Sequence, residues 1–151
     1  MTNNLDISDA GLNLIKEFEG FRSDPYQDQA GIWTIGYGTT YLTDGSRVTE
    51  NTPSVTKDQA TVLLHYGCRT VINCINSHVT VDLNQNQFDA LCSFVYNIGS
   101  GNFTLSTLLK VINGTEDGDT DVQFMRWNKV GGVPNAGLTR RRQAEIDLYN
   151  S

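Results

Sequence analysis

Apolar side chains recur at helical spacing in six stretches of the chain, and in one stretch they give way to a β-branched, glycine-rich pattern. Leu12, Ile15 and Phe18 line one side of a first helix that Ser8 can cap and Gly20 can end. Pro25 marks an irregular segment. Residues 32–37, set among Gly31, Gly36 and Gly38, read as short strands and tight turns, and Asp44-Gly45 reads as a hairpin turn. From Thr56 the helical period returns. Thr56 and Gln59 form a capping box ahead of a long helix with Val62, Leu63 and Tyr66 on one side. Asn84 opens a second helix, striped by Phe88, Leu91, Cys92 and Val95 and ended at Gly99. A short helix over 106–113 closes at Gly114. Thr120 caps another that reaches Trp127 and is ended by Gly131-Gly132, and a last one covers 139–149. Trp127 shares the apolar pattern of Phe124 and is expected in the core.

This order predicts an α+β fold with segregated elements: a helix and a small β region over about residues 1–55, then a helical lobe over about 56–151, within a single domain. The length suits one such domain. No internal repeat interrupts the scheme.

Charge narrows the class. The formal net charge is −6, and residues 1–60 hold nine acidic and four basic side chains. A nucleic-acid partner needs clustered Lys and Arg, so none is expected. An acidic chain is also poorly matched to an anionic surface such as many bacterial walls. No apolar run reaches the roughly 20 residues of a membrane span, and residues 1–10 lack the basic and apolar regions of a secretory signal. The expectation is a chain made inside a cell without stable membrane insertion. Cys68, Cys74 and Cys92 are odd in number, which points to reduced thiols, with Cys68 and Cys74 on different faces of one helix. His65 and His78 stand at no ligand spacing with these thiols, so no metal is expected.

Glu19 is the residue with most chemical promise. At a helix C-terminus it faces the negative end of the macrodipole, which disfavours the charged form, and Ile15, Phe18 and Phe21 supply apolar neighbours. A carboxylic acid held neutral is what general-acid chemistry requires. Asp28 after a turn and Thr34 on the following strand add a second carboxylate and a hydroxyl able to hold a water beside it. Two carboxylates in unequal surroundings are the minimal equipment for glycoside hydrolysis. Taken singly, each residue has an ordinary alternative: a helix-end Glu, a turn Asp, a strand Thr.

The run EGFRSDPYQDQAGIWTIGYG at 19–38 resembles the phage-type lysozymes. Their signature sets a Glu, then an Asp or Cys after eight residues, then a Thr after five more, followed by Ile-Gly-x-Gly. Glu19, Asp28, Thr34 and the stretch to Gly38 match at every position. NQNQFDALCSFVYNIG at 84–99, the segment 103–113, FMRWNKVGG at 124–132 and GLTRRRQAE at 137–145 look like further blocks of that family, in particular its lambdoid endolysins.

The resemblance implies a lysozyme-like fold with a cleft between a small β-containing lobe and a larger helical lobe. It implies a muramidase that cuts the β-1,4 bond between N-acetylmuramic acid and N-acetylglucosamine in peptidoglycan, without a cofactor. Glu19 would protonate the leaving oxygen while Asp28 and Thr34 activate a water on the opposite face. Inversion follows, and it asks for carboxyl groups roughly 6.5–9.5 Å apart. Tyr96, Asn97, Gly38 and Thr39 match positions that contact substrate. Of the basic run Arg140, Arg141 and Arg142, which reads as a solvated face in isolation, the family makes Arg141 an ion partner near the catalytic Glu. A monomer held in the host cytoplasm and released to the wall by a separate holin is implied as well. The competing readings are a lytic transglycosylase, a wall-binding module without catalysis, and a phage structural component.

Overall fold

In the computed structural model, which describes residues 2–151, the first helix runs Asp9–Glu19 (α1). Ser8 stands one residue ahead of it, and both its N–H and its hydroxyl donate to the carboxylate of the fully buried Asp89. At the other end, Gly20 takes φ +73° and its N–H donates to the Lys16 carbonyl at 3.0 Å. A side chain there would be strained, so the expected stop at Gly20 has a backbone cause.

Strands β1 (Arg22–Gln27) and β2 (Trp33–Gly36) pair antiparallel. Tyr26 lies opposite Thr34 and Gln27 opposite Trp33, yet Arg22 lies opposite Gly36, so β1 carries extra residues between Arg22 and Tyr26. This bulge holds Pro25, which has no N–H for a ladder. The irregularity expected at Pro25 is therefore a bulge inside a strand. Beyond β2 the chain turns back at once: Ile35 and Thr39 exchange two backbone hydrogen bonds of 2.9 Å around Gly36 and Gly38, both at positive φ. The Asp44-Gly45 turn follows, bridged by Tyr41 and Arg47.

Helix α2 (Lys57–Gly67) begins at the Thr56–Gln59 capping box. Its buried positions are Ala60 and Leu64, continued by Cys68, whereas Val62 is 63% exposed. The side chosen by Val62, Leu63 and Tyr66 is thus not the inward one; the smaller i, i+4 series is, because Ala60 fits against Gly36. The helix also does not run on. It ends at Gly67, a poor helix former, and α3 covers Arg69–His78. Cys68 and Cys74 therefore sit on separate elements, and both are buried, as is Cys92.

Helix α4 (Gln85–Ile98) starts at its Asn84 capping box and ends at Gly99. It is buried on almost every side from Phe88 to Val95. Short helices α5 (Ser100–Thr104), α6 (Thr107–Ile112) and α7 (Thr120–Met125) follow. The Gly131-Gly132 pair does not end a helix reaching Trp127. It forms the turn of a small hairpin, β3 (Lys129–Val130) with β4 (Val133–Pro134), where both glycines take positive φ. Helix α8 (Ala136–Tyr149) begins three residues earlier than expected because Asn135 caps it, accepting from the Leu138 N–H.

These elements form two compact units. One unites the chain up to Gly11 with Thr70–Ser151, and the other is Leu12–Arg69. The second runs past residue 55 to include α2. In the first, Phe94 packs edge-to-face against Phe103, Phe124 and Trp127. In the second, Ile35, Ala60 and Leu64 are fully buried and Phe21 packs on Tyr37 at 5.4 Å. Among the described residues no helix is long and apolar enough to cross a membrane. Met1, part of the opening stretch read above, lies outside the described residues.

Candidate active site

Glu19, Asp28 and Thr34 all fall in the unit Leu12–Arg69, on successive pieces of chain: the last residue of α1, the β1–β2 turn and the second residue of β2. Glu19 is partly buried. The turn is built by Asp28 itself. Its Oδ1 accepts from the Ala30 N–H at 2.8 Å and the Ile32 N–H at 2.9 Å, while its own N–H donates to the Ile32 carbonyl at 2.9 Å. Asp is favoured where a side chain must satisfy its own turn in this way. Asp28 is exposed, and the turn's hydrogen bonds engage only one of its carboxylate oxygens.

Thr34 is 3% exposed, and its hydroxyl donates to the same Ile32 carbonyl at 2.9 Å. Ile32 is thereby the common anchor of both side chains, holding Asp28 through its N–H and both residues through its carbonyl. A hydroxyl has one proton and two lone pairs. With its proton committed to Ile32, Thr34 presents only acceptor capacity to a water. Sequence reasoning paired Asp28 with Thr34 but missed Ile32, whose part is played entirely by its backbone; the Asx-turn spacing from Asp28 is the signal that was available.

The remaining expected contacts are placed as follows. Gly38, at φ +87°, is partly buried, and Thr39 is buried with its backbone bonded to Ile35. In the other unit, Tyr96 is partly buried and Asn97 exposed, both in the last turn of α4. Trp127 is half-buried, its ring 6.1 Å from that of Phe94.

The basic run is not a solvated face. Arg140 is exposed, but Arg141 and Arg142 are buried. Arg142 pairs with the wholly buried Glu145 at 2.7 Å, donates to the Trp127 carbonyl and stacks on Phe94. Arg141 reaches Glu145 at 3.3 Å and the Ser93 carbonyl at 3.1 Å, and the Ser93 hydroxyl donates to Glu145 at 2.6 Å. Burial pushes the Glu145 carboxyl up, and the two guanidinium groups and Ser93 pull against that; burial likewise pushes the Arg142 guanidinium down. Nothing in the local pattern of α8 distinguishes Glu145 as the centre of this cluster.

Comparison with known proteins gives one consistent result. The family model described as phage lysozyme matches residues 16–145. An endolysin of Acyrthosiphon pisum secondary endosymbiont phage 1 is 42% identical over 97% of this chain and 99% of its own. An endolysin of Bacillus phage PZA is 40% identical over 97% of this chain, which spans 56% of that protein's length. Among solved structures, a mutant of P22 lysozyme superposes with a TM-score of 0.87 at 37% identity, covering 98% of this chain and all of that one.

Proposed function

The chain belongs to the phage lysozyme family, and from that premise we propose that Glu19, Asp28 and Thr34 together carry its hydrolysis of the β-1,4 bond between N-acetylmuramic acid and N-acetylglucosamine. The fold is lysozyme-like, and the activity is that of a peptidoglycan-hydrolysing endolysin, a lysozyme.

The observation that carries the residue assignment is the shared anchor at Ile32. A water beside Thr34 donates one hydrogen bond to the threonine oxygen and the other to the carboxylate oxygen of Asp28 that the turn leaves unengaged. Both of its protons are then directed at the protein, which leaves a lone pair for the anomeric carbon. As that carbon is attacked, Asp28 takes up a proton and the water becomes the new hydroxyl. Glu19 gives its proton to the departing glycosidic oxygen. Attack by a water held on the face opposite the leaving group inverts the anomeric centre. Tyr96, Asn97, Gly38 and Thr39 are the proposed sugar contacts, with Asn97 able to donate to and accept from acetamido groups. Arg141 is proposed as the cation that acts on Glu19. The protein is further proposed to work as a monomer that waits in the host cytoplasm and reaches the wall through a separate holin.

The test is mass analysis of sugars released from purified peptidoglycan, with the Glu19→Gln variant run in parallel. Disaccharides with reducing N-acetylmuramic acid ends, absent with the variant, are expected. Anhydro ends would make the protein a lytic transglycosylase and leave Asp28 without a role. Wall binding with no release would reduce it to a binding module. The anomer first formed, read by proton NMR, decides inversion against retention.

A further inference from the structure

The active-site assignment above leaves one polar side chain next to Thr34 without a task. Tyr26 is the cross-strand partner of Thr34. Directly opposed residues of an antiparallel pair project to the same side of the sheet with Cβ atoms roughly 4.5–5.5 Å apart. What puts Tyr26 there is the bulge. Arg22 is opposite Gly36, so a regular ladder would have brought Asp24 opposite Thr34; the extra residues ahead of Tyr26 shift the register and seat a phenol there instead. Bulges next to active sites are a known means of re-aiming a side chain.

The ring is then held in place. The Arg22 guanidinium lies 4.4 Å from its centroid, a cation–π contact that only the bent strand allows between residues four apart. Tyr26 is partly buried, so its hydroxyl needs a polar partner. The charged groups acting on it are Arg22 from its own strand, Glu19 from α1 and Asp28 from the turn. Burial is the largest influence and makes the phenol harder to ionise. Arg22 works against this, and both carboxylates reinforce it. The phenol therefore keeps its proton, and it lies within the field of the proposed acid and the proposed base alike.

We propose that Tyr26 is a positioning residue of the hydrolytic site, donating its hydroxyl proton into the space beside Thr34 where the water is held. This rests on the roles given above to Glu19, Asp28 and Thr34. Thr34 offers the water an acceptor only, and Asp28 is an acceptor when ionised. The water's two protons go to these acceptors; of its two lone pairs one faces the anomeric carbon, and the Tyr26 O–H donates to the other, fixing the water without adding charge.

Tyr26→Phe separates the hydroxyl from the ring, because the phenylalanine keeps the Arg22 stack and the bulge. On purified peptidoglycan, kcat is expected to fall about tenfold with KM within about twofold, the size of one lost hydrogen bond. The melting temperature should stay unchanged. Wild-type kcat would overturn the proposal. So would a fall in kcat that comes with a lower melting temperature or with an equal rise in KM, which would make the residue merely structural. Glu19→Gln, assayed in parallel, keeps the two readings apart. If that variant is inactive and Tyr26→Phe behaves as wild type, only the role of Tyr26 fails; if Glu19→Gln is active, both fail.

Discussion

Gly36 of β2 presses on Ala60 of α2 so closely that a Cβ on the glycine would lie 2.9 Å from the Cβ of Ala60. Gly36 also has φ +65°, in the left-handed region. Two independent constraints thus demand glycine two residues after Thr34, and they lock the strand carrying Thr34 onto a helix. Gly36→Ala is expected to destabilise the protein by about 2–4 kcal/mol, combining backbone strain with an overpacked contact. Thermal unfolding checks this; an unchanged melting temperature would mean that α2 can move away at little cost.

Asp28 has two jobs that one pair of substitutions separates. Asp28→Asn keeps an oxygen to accept from Ala30 and Ile32, so the turn should survive. What it loses is the base, and kcat should fall by about 10²–10⁴-fold with little loss of stability. Asp28→Ala should lose both activity and roughly 1–2 kcal/mol of stability, from the unpaired N–H groups. Equal stability of the two variants would show that the turn does not depend on Asp28.

Thr34→Val removes the hydroxyl while keeping the branched shape in a position only 3% exposed. Activity should drop while Thr34→Ser, which keeps the oxygen, retains most of it. Full activity of the valine variant would remove Thr34 from the water site.

Within α8, Glu145→Ala strands two buried guanidinium groups, and a loss of about 3–5 kcal/mol is expected. Arg142→Met combined with Glu145→Leu replaces the closest pair with apolar groups and should recover part of that loss. Chemical denaturation of the single and double variants decides it; additive losses would mean the pair is not coupled.

The three thiols are buried, and burial pushes the Cys74 thiol up, so its thiolate forms only at higher pH than in an unfolded chain. The native protein should react with a thiol reagent at pH 8 far more slowly than the unfolded protein, which should give three equivalents. Rapid labelling of the native state would show local opening around α3.

Much of the local structure was legible from residues close together in the chain. The capping box at Thr56, the helix start at Asn84, the stops at Gly20, Gly99 and Gly114, and the Asp44-Gly45 turn all rest on contacts within a few residues, so spacing and residue type suffice to specify them. The family resemblance and the choice of Glu19, Asp28 and Thr34 rest on spacing too.

What the sequence did not reveal depends on partners that are distant or on balances between near-equal options. The inward side of α2 was set by the fit of Ala60 to Gly36, and Val62 was left outside. The Gly131-Gly132 pair can end a helix or turn a hairpin, and local pattern does not choose between them. The clearest case is the pair of Arg142 and Glu145. A run of three arginines on a helix is ordinarily solvated, because burying a charge is costly unless a counter-charge and hydrogen bonds meet it. Here Ser93, from another helix, and the Trp127 carbonyl complete the set. By itself, then, the sequence determined the locally capped starts and glycine stops of several elements and which residue types are spaced for hydrolysis. Only the tertiary structure decided which charges are buried, which side of α2 faces inward and that Ile32 joins Asp28 to Thr34, since each depends on groups that folding alone brings together.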